Sequence, residues 1–192
     1  ISAWANVQDK DWQMRRMEVY AAQVQSMDRA IGRVMATLKA TGTLENTLVL
    51  FLSDNGGSAE INDERSGLPT YGTHTHDNRV IRRGNNPAVM PGPEDTFQSY
   101  GREWTHVSNT PFRKHKMLVY EGGISTPLLA HWPAGLRKAG RLDHSDGHVI
   151  DLMATCCDVA GVKPPNAIEG KSLLPAIEGN KHTCLLYTSD AA

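Results

Sequence analysis

The sequence predicts an α/β fold with a mostly parallel sheet between helices, and three features predict it. An apolar stripe at helical spacing runs through residues 17–40. A strand apolar on both faces follows at 47–53, "TLVLFLS", the mark of an interior strand in a parallel sheet covered by helices. A second short strand, "PLLAHWP" (127–133), stands between that first helix and another at 148–160.

The first helix rests on Met17, Tyr20, Val24, Met27, Ile31, Val34 and Leu38, which recur at steps of three and four residues and so share one stripe. Gly42 follows closely enough to stop it. The second helix takes its stripe from Val149, Leu152, Met153, Cys156 and Val159. Asp146 upstream is its candidate cap, and "GVKPP" from Gly161 ends it. With Cys156 in the stripe, the adjacent Cys156 and Cys157 read as core packing rather than redox chemistry. Between Gly56 and Pro111 there is little periodicity. Structureless loops above ~12–15 residues are uncommon in compact domains and are usually functional or disordered. This one follows the strand that ends on Asp54, which favours function.

Bulk properties set the remaining bounds. The 192 residues allow one domain with a sizeable core, or most of one. Hydrophobic residues make up 40% and charged residues 21%, the balance of an ordinary soluble globular protein. Twenty basic residues against 21 acidic ones leave a formal charge of −1, which argues against a nucleic-acid or anionic-membrane surface. No apolar run approaches the ~18 residues of a membrane span. No signal-peptide pattern is present, but the chain opens on Ile1 in mid-pattern and reads as truncated. The three cysteines form neither a CxxC pair nor a Cys/His zinc spacing. The expected domain covers 1–181; the tail 182–192 fits none of the patterns before it and reads as non-native.

The first chemistry-bearing stretch is "LVLFLSDNGG" (48–57). Asn-Gly favours hairpin turns, but "SAEINDERSG" offers no returning strand. Two readings remain: a strand-to-loop turn with two solvated polar residues, or a bend that aims two oxygen-bearing side chains at a ligand. Ligands in open parallel sheets bind outside the carboxyl ends of the strands. Asp54 and Asn55 together offer a carboxylate and a carboxamide oxygen, hard donors suited to Ca2+ or Mg2+ rather than zinc. His74 and His76 have no third ligand at a recognisable spacing and read as exposed histidines. The second stretch is "SNTPFRKHKMLVYEGGISTPLLAHWP" (108–133). Arg113, Lys114, His115 and Lys116 form either a solvated basic face or a segment that carries one cation, Lys116, to an oxyanion as a compact point charge. The double glycine after Glu121 lets the backbone fold tightly behind it.

Taken in order, the strand ending in "SDNG", "NTPFRKHKMLVYEGGISTP", "HVIDLMATCCDVAGV" and "EGKSLLP" resemble the later part of the catalytic domain of type I, formylglycine-dependent sulfatases, close to bacterial arylsulfatases. The similarity runs from about Trp4 to Pro175. It implies an alkaline-phosphatase-like fold, incomplete here, with the N-terminal part and the C-terminal subdomain missing. It implies hydrolysis of small-molecule or carbohydrate sulfate esters by a hydrated formylglycine, assisted by Ca2+ with Mg2+ as the alternative. On this resemblance Asp54 and Asn55 complete the metal site. Lys116, four residues before the aromatic Tyr120, contacts the sulfate as a catalytic and substrate-binding group. Arg113, Lys114 and His115 acquire no role. The resemblance also implies a formylglycine-generating or sulfatase-maturating enzyme as partner, and a periplasmic or extracellular setting.

The nucleophile motif C/S-x-P/A-x-R is matched by no cysteine or serine here, so the segment alone is expected to be inactive. A phosphoester or phosphonate-ester hydrolase of the same superfamily shares the metal turn. A non-catalytic fragment or pseudoenzyme with a binding or structural role is the reading from another class.

Overall fold

The structure, a computed structural model, describes residues 3–61, 72–136 and 139–184. Its elements in chain order are α1 (Lys10–Ala40), β1 (Val49–Leu52), β2 (Arg82–Arg83), β3 (Thr96–Phe97), α2 (Gly101–Ser108), α3 (Glu121–Ile124), β4 (Leu128–His131), α4 (Asp151–Val159) and α5 (Leu174–Ile177). Short 3-10 turns lie at Trp4–Asn6 and Leu44–Asn46. The chain divides into two units, one of residues 1–34 and 53–127, the other of 35–52 and 128–192.

In the first unit, α1 begins at Lys10, well before the residue-17 start that its apolar stripe indicates. Its buried residues are Trp12 and Arg16. Arg16 breaks the apolar pattern, which is why spacing alone starts the helix too late. Its guanidinium lies over the Trp12 ring at 4.3 Å and donates to the Ser99 carbonyl from Nε at 2.8 Å and Nη2 at 2.5 Å. A buried guanidinium is tolerable only when its donors are used, as here. Trp12 donates from Nε1 to the Val89 carbonyl at 3.0 Å, and Tyr20 stacks on Tyr100 at 4.7 Å. These contacts hold the chain leading into α2. Further along α1, Val24, Met27 and Val34 are exposed, so the predicted stripe is covered only in part.

The second unit carries β1 and β4, paired antiparallel in the register Val49↔His131 to Leu52↔Leu128. The doubly apolar pattern pointed to parallel neighbours for β1, and within this chain its partner is antiparallel instead. The parallel pair is β2 with β3, two residues long, in the other unit. Phe51 and Leu129 remain exposed on the β1–β4 ribbon.

The core of the second unit centres on α4, which starts at Asp151 rather than 148. Its buried residues are Asp151, Ala154, Thr155 and Cys157. The predicted stripe is therefore on the wrong face: Val149, Met153 and Cys156 are exposed. Asp146 does not cap the helix. Asp151, the first residue of the helix, binds groups outside it instead, its carboxylate accepting the N–H of His148 at 2.9 Å and of Lys171 at 2.8 Å. Thr155 donates to the Asp151 carbonyl at 2.7 Å and accepts the Leu173 N–H at 2.8 Å. Together they fasten "EGKSLLP" to α4. Polar residues take the buried face because they satisfy backbone donors from a distant loop, which periodicity does not register.

Both long helices stop as their glycines indicate. Gly42 has φ +70°, with Thr43 N–H donating to the Leu38 carbonyl and Gly42 N–H to that of Lys39. That is the paired hydrogen-bond pattern of a left-handed helix terminus. Within the expected tail 182–192, Cys184 is buried with Sγ 4.0 Å from Asp151 Oδ2, and residues 185–192 lie outside the described residues.

Candidate active site

Residues 53–57 leave β1 as a bend, and no strand returns beside it among the described residues. The described residues directly after the bend, 58–61, form no strand. The turn is bound instead to the segment after α2. Gly56 N–H donates to the Gly123 carbonyl at 3.0 Å, and Lys116 N–H donates to the Gly57 carbonyl at 3.0 Å. The Ser53 carbonyl accepts the Thr126 hydroxyl at 2.6 Å, and the Ser53 hydroxyl donates to the Asn55 carbonyl at 2.9 Å. "SDNGG" and "RKHKMLVYEGG" are thus two loops of one backbone construction, with the predicted Asp54, Asn55 and Lys116 brought into it together.

Glycine is required by this closeness. A Cβ on Gly56 would strike the carbonyl oxygen of Gly122, and a Cβ on Gly122 would strike the carbonyl oxygens of Arg113 and Lys114. Both residues sit where two backbones meet with no room for a side chain.

Asp54 is exposed and Asn55 half-buried. Among the described residues neither the Asp54 carboxylate nor the Asn55 carboxamide makes a hydrogen bond or ion pair. Two uncommitted hard oxygen donors on one turn fit a divalent cation of the Ca2+ or Mg2+ type and do not fit zinc. Among the described residues no group of three or more His, Cys, Asp or Glu stands ready to hold an ion. By themselves the two donors fall short of the ~6–8 oxygens that Ca2+ takes.

The cations before the turn differ in what they touch. Lys114 Nζ lies 5.6 Å from the centre of the Tyr120 ring, so its charge is spent on an aromatic face. His115 packs edge-on to His106 at 6.1 Å, with Nδ1 2.9 Å from the Lys116 carbonyl. Lys116 Nζ stands 3.9 Å from Glu60 Oε2, with 39% and 65% of the two side chains exposed. An ion pair so exposed and so long holds the lysine weakly. His74 and His76 are exposed, as expected.

Two participants escaped the sequence reading. The first is α2 itself, which lies inside the stretch read as structureless. Its fully buried Thr105 donates to the carbonyls of Ser58 at 2.7 Å and Gly101 at 2.8 Å. The second is Asn109, immediately after α2, whose carboxamide bonds to Gly57, Lys114 and Gly122. The only local signal was an Asn before Thr-Pro, a common loop sequence.

A sulfatase family model matches residues 3–162, and the chain belongs to the sulfatase family. The chain is 33% identical over 180 residues to the arylsulfatase of Klebsiella aerogenes, covering 88% of this chain and 37% of that protein. It is 30% identical over 166 residues to the N-acetylgalactosamine-6-sulfatase of Canis lupus familiaris, covering 85% of this chain and 24% of that protein. It thus spans well under half the length of these relatives. Among solved structures it resembles the crystal structure of Ps i-CgsB, with TM-score 0.56 and 24% identity over 85% of this chain and 27% of that one. The complex of Ps i-CgsB with k-i-k-neocarrahexaose gives TM-score 0.59 and 23% identity over 94% and 32%. The fold is accordingly a partial alkaline-phosphatase-like α/β domain.

Proposed function

We propose that the protein to which this segment belongs hydrolyses sulfate esters, and that Asp54, Asn55 and Lys116 are this segment's contribution to the reaction. The observation that carries the proposal is the direct backbone junction between the two loops, Lys116 N–H to Gly57 carbonyl at 3.0 Å. It links a turn bearing two uncommitted hard oxygens to a loop bearing a weakly held ammonium. Such an arrangement suits an ester that carries several anionic oxygens.

Asp54 and Asn55 would hold a divalent cation, Ca2+ or Mg2+, which supplies charge neutralisation at the sulfate when bound. A formylglycine from outside this segment would supply the nucleophile, made by a maturation enzyme acting on the full-length protein. Lys116 would leave Glu60 and place its charge on a sulfate oxygen. The exchange is inexpensive because the Glu60 pair is long and solvated. Substrates of the aryl and sulfated-sugar kinds, the two named for the relatives above, are the classes to test.

The test is turnover of an aryl sulfate by the full-length, matured protein. Activity should be lost on chelation and return with Ca2+ or Mg2+. Turnover of a phosphate ester in preference to the sulfate, or activity indifferent to exhaustive chelation, would overturn the proposal.

A further inference from the structure

We infer that Asn109 is a positioning residue of this site, fixing where Lys116 stands relative to the Asp54–Asn55 turn; the inference rests on the functional reading above. The Asn109 side chain meets three backbone groups, one on the "SDNGG" turn and two on the "RKHKMLVYEGG" segment. Its Oδ1 accepts the Gly57 N–H at 2.9 Å, and its Nδ2 donates to the Lys114 carbonyl at 3.0 Å and the Gly122 carbonyl at 2.7 Å. A carboxamide carries two N–H donors and one acceptor oxygen. One N–H and two carbonyls are the set that a single amide orientation satisfies, and no other side chain of similar size presents it.

What these bonds hold is strained. Lys114 has φ +70° and Met117 φ +76°, so two residues with side chains sit in the left-handed region on either side of Lys116. Such residues persist only where their surroundings over-determine them. Asn109 holds the carbonyl of the first. Gly57 is then gripped at both ends, its N–H by Asn109 and its carbonyl by the N–H of Lys116. Asn109 thus joins the turn of Asp54 and Asn55, the lysine loop and the glycine turn behind them, with its carboxamide committed to backbone groups. Without it, Gly57 N–H and the Lys114 carbonyl lose their partners, the kink relaxes, and Lys116 shifts. Displacement of a charged group by ~1 Å can cost about 10²-fold in rate.

The experiment is a double-mutant cycle in the full-length, matured, metal-loaded protein. It compares wild type, Asn109→Ala, Lys116→Ala and the double variant, reading aryl-sulfate turnover and affinity for inorganic sulfate. Residues acting as one unit are non-additive, whereas independent ones add. Asn109→Ala should lower kcat about 10²-fold when Lys116 is present and less than about threefold when it is absent. Sulfate affinity should follow the same pattern. Equal losses in both backgrounds mark a merely structural residue and overturn the inference, as does no loss with Lys116 present.

If the wild type turns over no sulfate ester but sulfate affinity still shows the coupling, the functional reading falls and the positioning role stands. If Asn109→Ala fails to fold, Asn109→Asp takes its place in the cycle. It keeps the acceptor for Gly57 and removes the donors to Lys114 and Gly122, and the same two patterns decide.

Discussion

The main-chain N–H of Lys116 donates to the carbonyl of Gly57 at 3.0 Å, so the residue that carries the ammonium is anchored to the turn that carries Asp54 and Asn55. The anchor is backbone to backbone. Substituting any of these three side chains should therefore leave the loops in place and remove one chemical group at a time, which makes single-site tests interpretable.

Asp54→Ala in the full-length protein should lose metal, because a charged hard ligand is gone. Lys116→Ala should keep its metal and lose ~10²–10³ in turnover, the usual loss for a preorganised charge. Metal content by elemental analysis, beside the rate with an aryl sulfate, separates the two. Full metal and full activity in both variants would reduce "SDNGG" to a turn.

Gly56→Ala would put a methyl group against the Gly122 carbonyl oxygen. The contact is with backbone, which cannot rotate aside, so the cost should be about 1–3 kcal/mol of stability. The melting temperature of the full-length variant should fall, and turnover should fall with it because the same contact aligns the two loops. An unchanged melt would contradict the junction.

Asp151→Ala leaves the His148 and Lys171 N–H groups unpaired around a fully buried position. Hydrogen bonds to a charged group contribute about 1.5–3 kcal/mol each, so urea denaturation should show at least ~2 kcal/mol lost. Asp146→Ala, at the position the sequence pattern suggested as the cap, should change little. A larger effect from Asp146→Ala would restore the sequence assignment.

The 192-residue chain by itself should show no sulfatase turnover, since none of its cysteines or serines stands in C/S-x-P/A-x-R. Loss of a covalent nucleophile removes the reaction path and not a modest factor of rate. Aryl-sulfate hydrolysis by this purified chain above a heat-killed control would refute this.

Local chemistry determined much of this protein. The stripe from Met17 to Leu38, the apolar run before Asp54 and the glycines at 42 and 161 each act on near neighbours in the chain, so helix, strand and stops are legible from residue order alone. The same holds for the chemistry offered by Asp54, Asn55 and Lys116, which depends on residue type.

What only the tertiary structure decided is which groups meet across the chain. Arg16 is buried in α1 because Ser99 offers a carbonyl, Asp151 is buried because it accepts from His148 and Lys171, and β1 pairs antiparallel with β4. Asn109 binds Gly57 from 52 residues away. A hydrogen bond of that span imposes no period on the residues between its ends, and so leaves no pattern to read before the chain is folded.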